Sequence, residues 1–406
     1  MATNSRCLLN PNIKEFPQWW RTQQHIILAA HNSLQEAESL HQHLISVPSP
    51  TSPGDAAPPP ACCFFQTSGS EGRPAWVALS RRALETSARA VNRHLNVSPS
   101  DRWLLALPTH HVGGFCVLVR AHIGRSPVFF YDSKWDPEKF AAHCTECRAT
   151  LTSLVPAQVY DIVQKNIPAP CSLRAVIVGG GHLDPALAAE AWRLGWPVIP
   201  SYGMTEAASQ IATLTLPPRG QAPDNFEWLA VLEQWSCVTD DAGRLTISGP
   251  ALAAGKMVRD TPTQSWHWEK FNPDGLATRD RVELRRQNDI TYLRYLGREA
   301  AWIKILGELV NIDALRRQLD TILNEEQLPA RATIIAVPDA RAGQKLELVT
   351  DLAPPLAETI FQKYNATQSG LTRCMSVRHV EKLPTSPLGK ILHAQLQHPS
   401  TQQFWG

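Results

Sequence analysis

The sequence predicts an α/β protein: a large N-terminal domain of parallel α/β sheet with a β-rich subdomain, followed by a small α+β C-terminal domain. Three observations carry that expectation. Short apolar runs alternate with amphipathic stretches between residues 61 and 201, at the rhythm of βαβ units. After residue 215 the alternation gives way to β-type runs with tryptophans at 228, 235, 266 and 268. Beyond residue 297 helix and strand patterns return in a shorter unit, which sets the expected boundaries at 1–297 and 298–406.

Residues 17–46 place Ile27, Ala30, Leu34, Ala37, Leu40 and Leu44 three to four apart, which predicts an amphipathic helix with His25, His31, His41 and His43 on its solvated face. Residues 47–61, VPSPTSPGDAAPPPA, hold too many prolines for a helix or a central strand and are expected to form a surface connection. Strands are expected at 61–66, 103–107, 127–131, 149–154, 173–178 and 197–201. Helices are expected at 80–94, with Ser80 as N-cap, and at 185–194, with Asp184 as N-cap and Pro185 at the first helical position. Several strands end directly in polar or glycine-rich loops, where open α/β sheets bind ligands. Further on, 244–248 and 290–296 read as antiparallel strands. The last unit reads as a helix at 313–323, strands at 332–337 and 346–349, and a helix at 356–364.

The bulk properties narrow the class. A chain of 406 residues has room for two or three domains. With 19% charged residues and a net charge of +2, it lacks the electrostatic footprint of a nucleic-acid or anionic-membrane binder, and a small-molecule enzyme fits better. No basic segment with an apolar core opens the sequence and no run of about 18 apolar residues occurs, so neither a signal peptide nor membrane insertion is expected, and the cytoplasm is the expected location. Nine scattered cysteines read as reduced thiols; Cys144 and Cys147 form a CxxC beside His143 without the second pair of a zinc site.

The chemistry lies in five stretches. FFQTSGSEGRPAWV (64–77) breaks an apolar run with Thr67, Ser68, Gly69, Ser70 and Gly72, and reads as a strand feeding a phosphate-holding loop or, equally, as a polar surface turn. It is not the Walker pattern, since no lysine follows Gly72. LPTHHVGGF (107–115) puts His110 and His111 at a strand end, where a histidine is often structural. VIVGGGHL (176–183) offers Gly179, Gly180 and Gly181 for close backbone approach to a flat ring, or for a plain turn. SYGMTEAASQ (201–210) gathers Tyr202 as an aromatic face, Thr205 as a hydroxyl donor and Glu206 as a carboxylate for Mg²⁺. GLATRDRVEL (275–284) sets Asp280 to accept ribose hydroxyls or to form a surface salt bridge.

In this order the segments resemble the adenylate-forming superfamily of acyl- and aryl-CoA synthetases, peptide-synthetase adenylation domains and luciferases. TSGSEGRP resembles its phosphate loop and YGMTE its most diagnostic segment. TRD and YLGR resemble its ribose-binding Asp280 and Arg298, and LPTSPLGK the terminal loop with its catalytic Lys390. The match runs from about residue 61 to residue 392. LPTHHVGGF and YGMTEAASQIAT are most similar to the o-succinylbenzoate-CoA ligases of menaquinone biosynthesis.

The resemblance implies ATP, Mg²⁺ and coenzyme A as co-substrates or cofactors, a small carboxylic acid as substrate, and a monomer or homodimer whose C-terminal domain is mobile about residues 297–300. It implies that Thr67, Ser68, Gly69, Ser70 and Gly72 hold the β- and γ-phosphates, Thr205 the α-phosphate and Glu206 the Mg²⁺. Tyr202 and Gly179 to Gly181 would bracket adenine, with Gly203 also among the nucleotide-binding residues. His111 would line or gate the acyl pocket, with Ser209 and Gln210 hydrogen-bonding a second carboxylate or keto group. Other aryl- or acyl-CoA ligases, a stand-alone adenylation enzyme and a nucleotide-binding protein without catalysis are the alternatives.

The departures are as specific as the matches. The phosphate loop begins early, at Thr67, so a shortened N-terminal subdomain is expected. Glu71 stands where the family carries Thr or Ser. Ala75 and Trp76 follow the loop's proline in place of a lysine, and Ala300 occupies the hinge position that usually bears Asp or Lys.

Overall fold

A computed structural model of the chain describes residues 7–22, 24–46, 58–59, 61–67, 75–218, 220–260, 263–305, 308–339, 342–368, 370–386 and 391–396. Ser68, Gly69, Ser70, Glu71, Gly72 and Lys390 lie outside the described residues. The chain divides into two compact units. One comprises residues 1–241, 245–278 and 283–294, the other residues 242–244, 279–282 and 295–406.

A six-stranded sheet runs in the order Cys7–Leu9, His25–Leu28, Cys62–Thr67, Ala75–Ser80, Gly255–Arg259, Trp266–Lys270. Its first three strands are parallel and the rest antiparallel. Two expectations are corrected here. The continuous helix over 17–46 is instead a short helix Phe16–Trp19, the strand His25–Leu28 and a helix Leu34–Ser46. The reason is local: Ile26, Ile27 and Leu28 form an unbroken apolar run that a sheet buries on both faces, leaving them 0%, 0% and 3% exposed. Helical spacing holds only for Ala37, Leu40 and Leu44, which pack on Cys62, Phe64 and Trp76.

The histidines follow suit. Nδ1 of His25 accepts the Cys62 amide at 3.2 Å, which only a neutral ring nitrogen does. Burial, with the charge of Arg81, depresses its pKa to about 4. His41 is bonded to the Cys7 carbonyl at 3.1 Å, and His31 alone of the four is exposed, the others being half-buried. The second correction concerns the 62–67 strand: it belongs to this sheet and not to the main parallel one.

The main sheet has eleven strands, in the order Ser236–Thr239, Arg244–Ser248, Leu276–Gln287, Ile290–Arg298, Leu229–Val231, Ser209–Thr213, Val198–Met204, Ala175–Val178, Leu151–Leu154, Trp103–Leu105, Val128–Phe130. Its last five are parallel, as the alternation predicted. Strand Ser209–Thr213 turns back antiparallel on Val198–Met204. Helices Arg81–His94, Pro137–Glu146 and Pro185–Arg193 start on side-chain caps: Ser80 accepts from the Ala83 amide, Asp136 from Glu138 and Lys139, and Asp184 from Ala186 and Leu187. Proline opens the latter two, where its missing N–H costs nothing.

The second unit packs helices Ile312–Glu325 and Pro354–Thr367 on a three-stranded sheet of Ala332–Asp339, Gly343–Thr350 and Cys374–His379. Leu319, Leu323, Ile334, Leu348, Ile360 and Tyr364 form its core. Cys144 and Cys147 are buried free thiols, and no group of three potential metal ligands occurs among the described residues. No helix among them is long and apolar enough to cross a membrane.

Candidate active site

In the first unit the parallel strands deliver their loops to one edge of the main sheet. Strand 103–105 leads through His110 to His111, which precedes the helix Val112–Gly124. Strand 151–154 ends at Val155 and Pro156, and strand 175–178 ends at Gly179, Gly180 and Gly181. Strand 198–204 carries Tyr202 and runs into a single turn, Thr205–Ala207. These loops touch: a Cβ built on Gly180 would lie 3.5 Å from Val155, one on Gly181 3.6 Å from Pro156, and one on Gly179 3.0 Å from the Ser201 hydroxyl. Gly180 needs its glycine, with φ at +78°.

The phosphate-loop stretch enters from the other sheet. Thr67 ends one strand of a hairpin and Ala75 begins the next, paired directly and joined by the Thr67 hydroxyl donating to the Ala75 carbonyl at 3.4 Å. The preceding Gln66 donates its amide to a Glu36 carboxylate oxygen at 2.6 Å, so the Leu34–Ser46 helix grips the strand that enters the loop. The Thr205–Ala207 turn packs against the Ala75–Ser80 strand that leaves it. Glu206 also accepts the Ala253 amide on its backbone carbonyl at 2.8 Å, while Ala254 bonds to Ala78 at 3.0 Å. The Glu206 carboxylate has no hydrogen bond or ion pair among the described residues, which leaves both oxygens for a cation.

The turn that follows is tightly specified. A Cβ on Gly203 would sit 1.7 Å from the Ser209 carbonyl oxygen, so the two strands approach only because residue 203 has none. Ala208 and Ser209 both adopt left-handed φ, +48° and +89°. The Ala208 carbonyl is held by the Ser87 hydroxyl at 2.7 Å and the Cys116 thiol at 3.6 Å.

Arg120, in the middle of the Val112–Gly124 helix, meets this turn. It is 1% exposed, its Nη2 donates to the Ser209 hydroxyl at 3.2 Å, and its Nε is buried without a hydrogen-bond partner. No carboxylate among the described residues lies within salt-bridge distance of it. Burial draws its pKa down from the ordinary guanidinium value. Sequence reasoning missed Arg120, though a signal existed: it is the single charge in the buried run Phe115 to Ala121, where a solvated helix face never comes round.

The remaining residues expected on the acyl side differ in character. His110 and His111 sit with ring centroids 4.4 Å apart. Burial, then the neighbouring imidazole, depresses His110 to about 4, and burial lowers His111 as well, so both are neutral at pH 7. Gln210 is 3% exposed, with its side-chain oxygen taken by the Thr213 hydroxyl at 2.8 Å and its backbone carbonyl by the Trp235 indole at 3.0 Å.

The second unit, taken alone, holds Asp280 5% exposed, with Arg298 Nε donating to its Oδ1 at 3.1 Å. Burial, and then the carboxylates of Asp280 and Asp313, raises the nearby Tyr295 phenol well above its ordinary range. Asn311 accepts the Ala314 amide at 3.1 Å as cap of the Ile312–Glu325 helix, and donates to the Leu296 carbonyl at 2.9 Å. Gly297, between the ribose-type residues, has φ at +130°.

Residues 5–255 match the family model of AMP-binding enzymes, and the chain belongs to that family. Among its relatives are the 2-succinylbenzoate–CoA ligases. That of Bacillus pumilus is 34% identical over 346 residues, covering 82% of this chain and 68% of the relative. That of Bacillus licheniformis is 26% identical over 344 residues, covering 83% and 70%. The fold is similar to that of the Bacillus subtilis o-succinylbenzoate CoA synthetase in complex with its acyl-adenylate intermediate, with a TM-score of 0.70 at 20% identity over 96% of this chain and 82% of the other.

Proposed function

We propose that the chain is an AMP-forming acid–thiol ligase that activates o-succinylbenzoate with ATP and transfers it to coenzyme A. The observation that carries the choice of acid is Arg120, a buried cation without an acidic partner among the described residues, set on the Ser209 hydroxyl in the turn after Glu206. Buried charges are normally paired, because desolvation costs several kcal/mol per ion. A substrate bearing a second carboxylate supplies the missing partner, and an aromatic diacid does so while its other carboxylate faces the nucleotide. The ligase names of the relatives point to the same acid.

A carboxylate resists direct attack by a thiol because its leaving group would be oxide. In the proposed reaction a substrate carboxylate oxygen attacks the α-phosphorus of ATP and the bond to pyrophosphate breaks. The coenzyme A thiolate then attacks the acyl carbon and AMP departs. Both steps are chiefly positioning and charge neutralisation. Thr67, Ser68, Gly69, Ser70 and Gly72 cradle the terminal phosphates, Thr205 donates to the α-phosphate, and Tyr202 and the 179–181 glycines enclose adenine, with Gly203 also on the nucleotide side. Asp280 and Arg298 take the ribose hydroxyls. Mg²⁺, when bound, offsets triphosphate charge, and the unpartnered Glu206 carboxylate is the ligand proposed for it. Neutral His111 lines the acyl pocket without competing with Arg120 for the carboxylate. Lys390, on a small mobile domain spanning 298–406, bridges the substrate carboxylate and the α-phosphate as their charges converge. The enzyme works in the cytoplasm as a monomer or homodimer.

The test is acid-dependent pyrophosphate release with o-succinylbenzoate, benzoate and a fatty acid, each with and without coenzyme A. Preference for the diacid and thioester formation with coenzyme A are expected. Preference for a monoacid would replace the substrate, release without thioester would make it a stand-alone adenylation enzyme, and no release with any acid would end the enzymatic reading.

A further inference from the structure

We infer that the first unit carries a second ligand site, for a small amphipathic anion of the aromatic carboxylate class, in a groove at the far end of the Val112–Gly124 helix. The groove encloses about 620 Å³, within the size range of small-molecule sites. Its walls include the rings of Phe16 and Phe130, and its rim carries Lys14, Arg21 and Arg125 beside His122. Lys14 is paired with Asp132 at 2.9 Å and lies over the Phe130 ring at 5.8 Å. Among the described residues, Arg21 and Arg125 have no carboxylate within salt-bridge distance. Three cations therefore face Asp132, with Glu85 close enough to His122 to act on it and already bonded to the Trp20 indole, around an aromatic-walled concavity. That balance selects against a neutral apolar guest and against a cation, and favours a flat anion that stacks and pairs at once.

Two details set the groove apart from an incidental dent. Arg125 stands at φ +53° as C-cap of the helix, a conformation where glycine is the usual residue, so a long cation is retained at a backbone cost. The Ala121 and His122 carbonyls at the helix end are already bonded, to the Ser126 and Arg125 amides, and offer little competition for the guanidinium. His111, at the other end of the helix, lies about 20 Å from Arg125 at a rise of about 1.5 Å per residue, while Arg120 lies about 7 Å from it on the same measure, so the competition arm with saturating acid and AMP decides whether the groove is separate.

Titration calorimetry of the full chain with 2-naphthoate tests the proposal, with 2-naphthylmethanol and benzylamine as neutral and cationic controls. Activity with the preferred acid is followed in parallel. The expected result is 2-naphthoate binding that persists when the preferred acid and AMP are saturating, weakens at least about tenfold in Arg21→Gln/Arg125→Gly, and leaves pyrophosphate release by that variant unchanged. Glycine suits the left-handed position, so the variant should fold; Arg21→Gln alone is the second variant if it does not. The proposal is overturned if 2-naphthoate does not bind the wild type, if saturating acid and AMP abolish its binding, if the variants bind it unchanged, or if the alcohol or the amine binds as well. None of these results depends on which acid the enzyme activates.

Discussion

Replacing Arg120 by methionine tests the proposed substrate most directly, because the two consequences have opposite signs. The side chain is 1% exposed and, among the described residues, makes one hydrogen bond, to Ser209. Losing that bond costs about 1 to 1.5 kcal/mol, whereas removing an unpaired buried cation recovers a desolvation penalty of several kcal/mol. Arg120→Met is therefore expected to stabilise the free protein by about 1 to 3 kcal/mol, read as a rise in Tm of roughly 2 to 5 °C for a unit of this size. With the diacid, the charge-assisted contact to the distal carboxylate is lost. At about 2 to 4 kcal/mol this lowers kcat/KM roughly 30- to 1000-fold. For benzoate, which lacks that carboxylate, kcat/KM should stay within about threefold. The measurements are differential scanning calorimetry and coupled pyrophosphate kinetics with both acids. A fall in Tm with equal losses for both acids would mean that Arg120 only supports the 208–209 turn, and the reasoning would fail.

Other perturbations probe other parts. Lys390→Ala should lose adenylate formation by roughly 10² to 10³ yet still convert supplied acyl-adenylate to thioester, and equal loss in both half-reactions would refute its assignment. Glu36→Ala frees Gln66 at the entry of the phosphate loop. The KM for ATP should rise several-fold with kcat and the KM for the acid little changed, and a purely structural role would instead show as a lower Tm with unaltered KM values. Gly203→Ala forces apart strands that meet at the Ser209 carbonyl, and should cost at least about 3 kcal/mol or abolish activity; a wild-type-like variant would show that the turn yields cheaply. His25 is neutral in the fold, with its pKa depressed from about 6.5 to about 4, so the unfolded chain binds the proton more tightly in that window. Stability should fall as pH drops from 6.5 towards 4 by about 2 kcal/mol from this group, after discounting for partial exposure, and His25→Gln should flatten that slope in denaturant titrations.

The parallel half of the main sheet was legible because its strands, its helices and their caps obey local rules. Ser80 and Asp184 cap where expected because each is a short polar acceptor just before a helical run. The His25–Leu28 strand was not, because residues 25–34 also satisfy a spacing of three to four, and only the partner strand at Cys62 to Phe65 decides between the two. The same limit hid the separate six-stranded sheet: the 62–67 strand has the apolar run of a parallel strand, its own partners are His25–Leu28 and Ala75–Ser80, and the pairing of Ala75–Ser80 with the far later Gly255–Arg259 is not written in either stretch. Thr205, Glu206 and the 179–181 glycines stood out through residue type and order. Arg120 did not, since its meaning depends on Ser209, 89 positions later, being folded back onto it.

One wall of the proposed acyl site concentrates costs that a purely structural wall would avoid. Arg120 is a buried cation without an acid among the described residues, Ala208 and Ser209 are consecutive non-glycine residues in left-handed conformation, and Gly203 gives up a side chain to let the Ser209 carbonyl approach. Left-handed conformations at non-glycine residues cost on the order of 1 kcal/mol or more each. They share one geometric result, which is that the Ser209 hydroxyl is presented to the guanidinium at 3.2 Å. The surroundings oppose relaxation, because Ser87 and Cys116 both bond to the Ala208 carbonyl, and burial raises the Cys116 thiol to about 11, which keeps it a neutral donor at physiological pH. A wall held this way presents fixed donors before the acid arrives, so binding a second carboxylate requires little reorganisation. The strain is then part of how the site selects its acid, and Ser209→Ala in an Arg120→Met background should add little further loss with o-succinylbenzoate. Additive losses in that double-mutant cycle would show instead that the two side chains act separately.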